Sequence, residues 1–230
     1  MDESSAVRPT LPHHSQRNLI SPKSSSADYC YRSSAPHTVR LSSPPNSEAP
    51  SQELNLASIG KDLGIDSTTV RRWLDVLLTS GLVIELPAYS RNLGKRIIKR
   101  PKIYFCDVGQ AAYLCSLRTS EAFDLGHLKG HLFENWVVSE INKSYRHNEM
   151  DPQIYYYRDS NQREIDLLIE RDGRLYPMEI KLNDKPSHAQ KNFLVLAPEE
   201  SRIPYYGVIC PTQKLSPVNE RIWKIPASLI

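Results

Sequence analysis

The chain has 230 residues, 40% hydrophobic and 24% charged, and its 29 basic against 26 acidic side chains leave a net charge of +3. That balance suits a soluble globular protein of one or two domains and permits nucleic-acid contact without arguing for it. No apolar run reaches the roughly 18–20 residues needed to cross a bilayer, the opening MDESSAVRPTLPHHSQ lacks the apolar core of a secretory signal, and Cys30, Cys106, Cys115 and Cys210 form no C-x-x-C pair. A reduced, cytoplasmic setting with no membrane partner is therefore expected.

Residues 1–52 carry thirteen serines and seven of the 17 prolines, with few aliphatics and no helical or strand period. Such a segment cannot bury enough surface to offset the entropy of ordering, so the expectation is a disordered Ser/Pro-rich tail.

Order is expected from residue 53. LASIGKDLGI reads as a short helix ending at Gly64. Asp66 or Ser67 can cap a second helix, whose Val70, Trp73, Leu74, Leu77 and Leu78 form one apolar stripe, and Gly81 stops it. LVIEL follows as a strand closed by Pro87. The pattern over 53–90 predicts a winged helix-turn-helix. On its second helix, Arg71 and Arg72 are candidate phosphate contacts, weighed evenly against a solvated helix face.

Residues 91–126 are predicted to be a basic connecting segment. Arg91, Lys95, Arg96, Lys99, Arg100 and Lys102 crowd one stretch, with Ile97, Ile98, Ile103 and Phe105 interleaved. Lys95, Arg96, Lys99 and Arg100 join the candidate nucleic-acid contacts, because clustered cations release counterions from a phosphate backbone. The aliphatics equally suit a half-buried strand.

From residue 127 a long helix, GHLFENWVVSEINKSY, presents Leu132, Phe133, Trp136, Val137, Ile141 and Tyr145 inward. Three strands follow at 153–159, 164–170 and 175–181, joined by the polar turns SNQR and RDGR. A helix within SHAQKNFLVL and strands at PYYGVICP and RIWKI complete an α-β-β-β-α-β order.

The second of these hairpins holds charge where packing residues belong. Asp166 lies in its first strand, Glu179 and Lys181 in its second, and the 13-residue spacing sets Asp166 beside Glu179. Alternation puts Glu179 and Lys181 on one face. Glu134, one residue past Phe133, sits at the edge of the helix's apolar stripe. Converging carboxylates suit a hard divalent cation, Mg²⁺ or Mn²⁺, with Glu134, Asp166 and Glu179 as ligands. Lys181 is the candidate that activates water and offsets transition-state charge. The competing reading is an ion-pair cluster on a sheet face, with Glu164 a solvated neighbour or substitute ligand. His127 and His131, four apart, lack a third nitrogen or sulfur donor for zinc.

The string D-x(12)-E-x-K in this element order resembles the PD-(D/E)xK nuclease superfamily, which has the restriction-endonuclease-like fold. Four blocks in order, RNLGKRIIKRPKIYFCDVGQAAYL, GHLFENWVVSEI, YYYRDSNQREIDLLIE and YPMEIK, resemble more closely the C-terminal domain of unknown function 4143 of prokaryotic AAA-type ATPases. The similarity spans roughly residues 53–230. It implies a restriction-endonuclease-like α/β domain over 127–230 with Glu134, Asp166, Glu179 and Lys181 at its site, and an ATPase module ahead of the winged helix. No G-x-x-x-x-G-K-[ST] occurs in these 230 residues, so no ATP site is expected and ATP hydrolysis is not carried over. A truncated or stand-alone derivative with a separate ATPase subunit is the corresponding expectation. Two functions follow: a DNA-binding, Mg²⁺-dependent phosphodiester-cleaving module, or a non-enzymatic DNA-binding or docking fragment.

Overall fold

The computed structural model describes residues 53–90, 100–125, 128–183 and 189–230. The Ser/Pro-rich tail, Arg91, Lys95, Arg96, Lys99 and His127 lie outside them. Within them the protein is a mixed α/β structure.

Helix α1, Leu56–Leu63, begins where Asn55 accepts a hydrogen bond from the Ser58 amide (3.1 Å) and ends at Gly64 with φ +70°. Helix α2, Ser67–Thr79, is capped by Asp66, whose carboxylate accepts from both the amide (2.9 Å) and the hydroxyl (2.6 Å) of Thr69. The turn between them depends on Gly60. Its carbonyl accepts the Ile65 amide at 3.0 Å, and a Cβ on Gly60 would stand 2.6 Å from the Ile65 carbonyl oxygen. A backbone atom at that distance cannot step aside as a side chain could.

Strand β1, Val83–Leu86, pairs antiparallel with β2, Lys102–Phe105, Leu86 facing Lys102. The short helices α3, Val108–Leu114, and α4, Ser120–Leu125, lead to the long α5, Lys129–His147. A first core gathers Leu54, Leu74, Val83, Phe105, Ala111, Cys115, Leu128 and Leu132 beneath these elements. Asn135 fastens α5 to β2: its side chain accepts from the Phe105 amide and donates to the Phe105 carbonyl, both at 2.8 Å.

The remaining strands form one sheet, in the order β3-β4-β5-β6-β8-β7. They are β3, Ile154–Arg158; β4, Glu164–Arg171; β5, Arg174–Ile180; β6, Tyr206–Cys210; β7, Ser216–Pro217; and β8, Ile222–Pro226. β3, β4 and β5 are antiparallel neighbours, whereas β5–β6 and β6–β8 are parallel. Between β5 and β6 run helix α6, Ala189–Phe193, and a 3₁₀ stretch, Leu194–Arg202. The helix expected within SHAQKNFLVL is α6, and Pro198, with no N–H to donate, lies in the 3₁₀ stretch that continues it. α4 and the two-residue β7 carry no period long enough to be seen in the sequence.

Each face of the sheet has its own core. Val137, Val138 and Ile141 of α5 pack with Tyr156, Leu167, Ile180 and Ile209 on one side. Phe193, Val195, Leu196 and Ile203 pack with Ile165, Leu168, Leu175 and Val208 on the other. Burying each such aliphatic side chain contributes about 1.5–3 kcal/mol. The helical pair is joined to the sheet by backbone as well: the Tyr156 amide donates to the Pro87 carbonyl (3.0 Å), and the Tyr89 amide to that of Tyr156 (2.7 Å). Arg202 holds the β4–β5 hairpin tip, donating to the Gly173 carbonyl (2.8 Å) and to Glu170 (2.6 Å).

Gly60→Ala is expected to lower stability in urea denaturation by about 1–3 kcal/mol through overpacking. Gly130→Ala, where a Cβ meets nothing within 4 Å in α5, should be neutral or gain up to about 1 kcal/mol from helix propensity. Equal effects of the two would contradict the tight turn.

Candidate functional site

The β4–β5 hairpin turns at Asp172 and Gly173, with φ of +50° and +73°, values that favour Gly and Asp or Asn at a two-residue turn. From there the register runs Arg171 to Arg174, Glu170 to Leu175, and on to Leu167 opposite Met178. Continued by one residue, it brings Asp166 opposite Glu179. On the other side of β4 the register slips: Tyr155 faces Leu168, but Tyr157 faces Ile165. β4 therefore carries one extra residue between Ile165 and Leu168, a bulge that includes Asp166. Ile165 packs in one core and Leu167 in the other, although a regular strand would send both to one side.

Three of the predicted residues meet here. Asp166 Oδ2 accepts from the Ile180 amide (2.8 Å) and from Lys181 Nζ (2.9 Å). Lys181 Nζ also lies 2.7 Å from Glu179 Oε2, and Asn192 Nδ2 donates to Glu179 Oε1 (3.3 Å). Side-chain exposure rises from 0% at Glu179 through 13% at Asp166 to 36% at Lys181, so the carboxylates are recessed behind a lysine that reaches solvent. Burial, and then the charge of Asp166, push the Glu179 carboxyl up to about 8 against the opposing pull of Lys181 and Asn192. For Lys181, burial favours loss of the proton, but Asp166 and Glu179 outweigh it and hold the ammonium charged.

Glu134 is placed differently. Its Oε1 accepts from Tyr104 Oη (2.6 Å) and from Lys102 Nζ (3.2 Å), and the same ammonium pairs with Glu164. Lys102 is 1% exposed and Glu134 12%. Burial would raise the Glu134 carboxyl, yet Lys102 and Tyr104 bring it below its usual range. Burial outweighs Lys102 at Glu164, which is raised. Arg158 extends this second cluster to Glu164 (3.4 Å) and Glu53 (3.2 Å). Asp166 acts on Lys102 through its field, which joins the two groups electrostatically. Among the described residues no three or more His, Cys, Asp or Glu are arranged to hold a metal ion by themselves.

Of the candidate phosphate contacts, Arg71 is tied to Asp75 (2.8 Å) and Glu85 (3.0 Å), while Arg72 and Arg100 are exposed. Lys95, Arg96 and Lys99 lie outside the described residues. Lys102, Tyr104, Asn192 and the pairing role of Glu164 went unrecognised in the sequence. One signal was available for Lys102: a lysine in the first position of KIYF, a segment that is otherwise wholly apolar.

Comparison with known proteins agrees with the resemblance carried by the sequence blocks. Residues 129–230 match the model of a domain of unknown function (DUF4143), and residues 39–121 match that of a second domain of unknown function (DUF8612). The C-terminal part of the chain, with α5, the sheet and all four predicted acid and lysine residues, is a DUF4143 domain. Uncharacterised proteins of Mycobacterium bovis and Mycobacterium tuberculosis are each 28% identical to this chain over 174 residues, 76% of its length. The match spans 38% of the length of each of those relatives. No solved structure matches the chain. No described helix is long and apolar enough to cross a membrane.

A carboxyl that ionises near 4.5 in the unfolded chain and near 8 in the folded one binds its proton more tightly when folded. Its contribution to stability is greatest below about pH 4.5, declines as pH rises to about 8, and then levels off. Glu179→Gln should therefore match the parent near pH 5 and exceed it in stability above pH 8, measured by urea denaturation in a chelating buffer. A parent–variant difference independent of pH would contradict the assignment.

Proposed function

We propose that the DUF4143 domain of this chain is a Mg²⁺- or Mn²⁺-dependent phosphodiester-cleaving module acting on nucleic acid, DNA foremost. The observation that carries this reading is the meeting of Asp166, Glu179 and Lys181 at a recessed, solvent-open point of the sheet. The order α5-β3-β4-β5-α6-β6, with antiparallel β3–β5 and parallel β6, supports a restriction-endonuclease-like core. The α1–turn–α2 unit followed by the β1–β2 pair supports a winged helix.

The donor set fits a hard cation. Both hydrogen bonds to Asp166 use Oδ2, which leaves Oδ1 open among the described residues. Burial first, and then the charge of Asp166, raise the Glu179 carboxyl against the pull of Lys181, and a cation would offset both. Asp166 and Glu179 would hold the cation, with Glu134 a further ligand once released from Lys102. The bound cation would lower the proton affinity of a water and neutralise charge on phosphate oxygens. Lys181, held as an ammonium by two carboxylates, offsets charge that develops on the phosphate. Arg72, Arg100 and the basic segment from Lys95 to Lys99 would contact the phosphate backbone, and a separate ATPase subunit is the corresponding protein partner.

Mn²⁺ titration by calorimetry tests this on the full chain. The parent should bind, Asp166→Asn should not, and Lys181→Met should bind while losing cleavage of plasmid or single-stranded DNA by about 100-fold or more. A parent indifferent to Mn²⁺ and Mg²⁺ would overturn the reading. It would favour a non-enzymatic DNA-binding or docking fragment, for which the ion-paired state of Arg71 and Glu134 speaks.

A further inference from the structure

We infer that Lys102 is a built-in counter-ion that this site exchanges for a divalent cation. The inference rests on the cation reading above and names the regulation of the same site.

Lys102 has two carboxylates in contact, Glu134 and Glu164, and feels the charge of Asp166 as well. Its 1% exposure removes water as a competing partner. An ammonium in that place satisfies the same oxygens that a hard dication would take, and it lowers the negative potential that would draw one in. While Lys102 stays, Glu134 is engaged through Oε1 by both Lys102 and Tyr104.

The lysine does not belong to the sheet it serves. Lys102 stands in β2, which pairs with β1 in the separate two-stranded sheet, and β1 follows directly on the α1–α2 unit. The ammonium therefore reaches the carboxylates on a flexible four-carbon stem from a strand that belongs to the neighbouring layer. Glu53, immediately before α1, is likewise bound to Arg158 and Tyr156 of β3. A swing of the Lys102 stem, with β2 still fastened to α5 through Asn135, would take the ammonium off both carboxylates and let a cation compete with Tyr104 for Glu134 and with Arg158 for Glu164.

Lys102→Met keeps the stem and removes the charge. Calorimetric titration of the full chain with Mn²⁺ should show affinity raised by about tenfold or more over the parent, and Lys102→Met/Glu134→Gln should lose that gain. Binding no tighter than the parent's, or a gain that survives the added Glu134→Gln, would overturn the inference. A lysine serving packing alone would lower affinity on removal, not raise it. Should the Met variant fail to fold, amine-reactive footprinting of the parent gives the same decision. Lys102 should be protected in chelator and become reactive at saturating Mn²⁺, and unchanged protection would overturn the inference. Asp166→Asn separates the two ideas. Tighter binding in Lys102→Met that is indifferent to Asp166→Asn keeps the exchange and rejects the Asp166–Glu179 cation site, whereas unchanged affinity in Lys102→Met beside loss in Asp166→Asn does the reverse.

Discussion

The ammonium of Lys102, enclosed between Glu134 and Glu164, ties a helix to strands of two different sheets. It arrives on β2, meets α5 at Glu134 and meets β4 at Glu164. Burying an ammonium costs several kcal/mol unless carboxylates compensate it, and removing either side of such a pair leaves an uncompensated charge worth about 3–5 kcal/mol. The layers are therefore registered by an all-or-none polar contact as well as by apolar area. The Asn135–Phe105 pair of hydrogen bonds lies on the adjoining residues of both elements, 134–135 and 104–105, and keeps α5 at the depth the ion pair requires.

Given that registration, the bulge in β4 decides what the sheet presents. Without the extra residue, Glu164, Asp166 and Leu168 would share one face, and two carboxylates would compete for Lys102. With it, Glu164 turns to Lys102 while Asp166 accepts from the Ile180 amide and Lys181. One strand thereby feeds two polar clusters, Glu164 to Lys102 and Asp166 to Lys181. The hairpin tip is held independently, by the Asp172–Gly173 turn and by Arg202, so the register that carries Asp166 to Glu179 is defined from both ends.

These facts explain which parts of the molecule were legible in the sequence. The Asp166, Glu179 and Lys181 group was readable because a two-residue turn fixes hairpin register and a period of two fixes the faces. The α1–α2 unit was readable because its caps, Asp66 and Gly64, act within a few residues of themselves. The environment of Glu134 was not, since helical phase tells how deep a residue lies and nothing of which cation crosses from another strand. Lys102 was counted among the cations of a basic stretch, because linear spacing records charge and not the partner that folding supplies. Glu164 was grouped with Asp166 for a similar reason: a bulge breaks alternation without leaving any mark in the residue types. α4 and β7 are held by context and have no period of their own.

The charge balance of the two clusters ties these points together. Among the described residues, Glu53, Glu134, Glu164, Asp166 and Glu179 face Lys102, Arg158 and Lys181, five carboxylates against three cations. An excess of buried carboxylates costs free energy unless hydrogen bonds or protons offset it. Here it is met in part by a proton retained on Glu179, the carboxyl with no exposed surface. A retained proton is the weakest of counter-ions, since it leaves as pH rises and a dication can displace it. The excess is divided, one charge at the Lys102–Arg158 cluster and one at Lys181, whose cluster reaches solvent through its lysine. An external cation at Asp166 and Glu179, as proposed, would take the place of that proton.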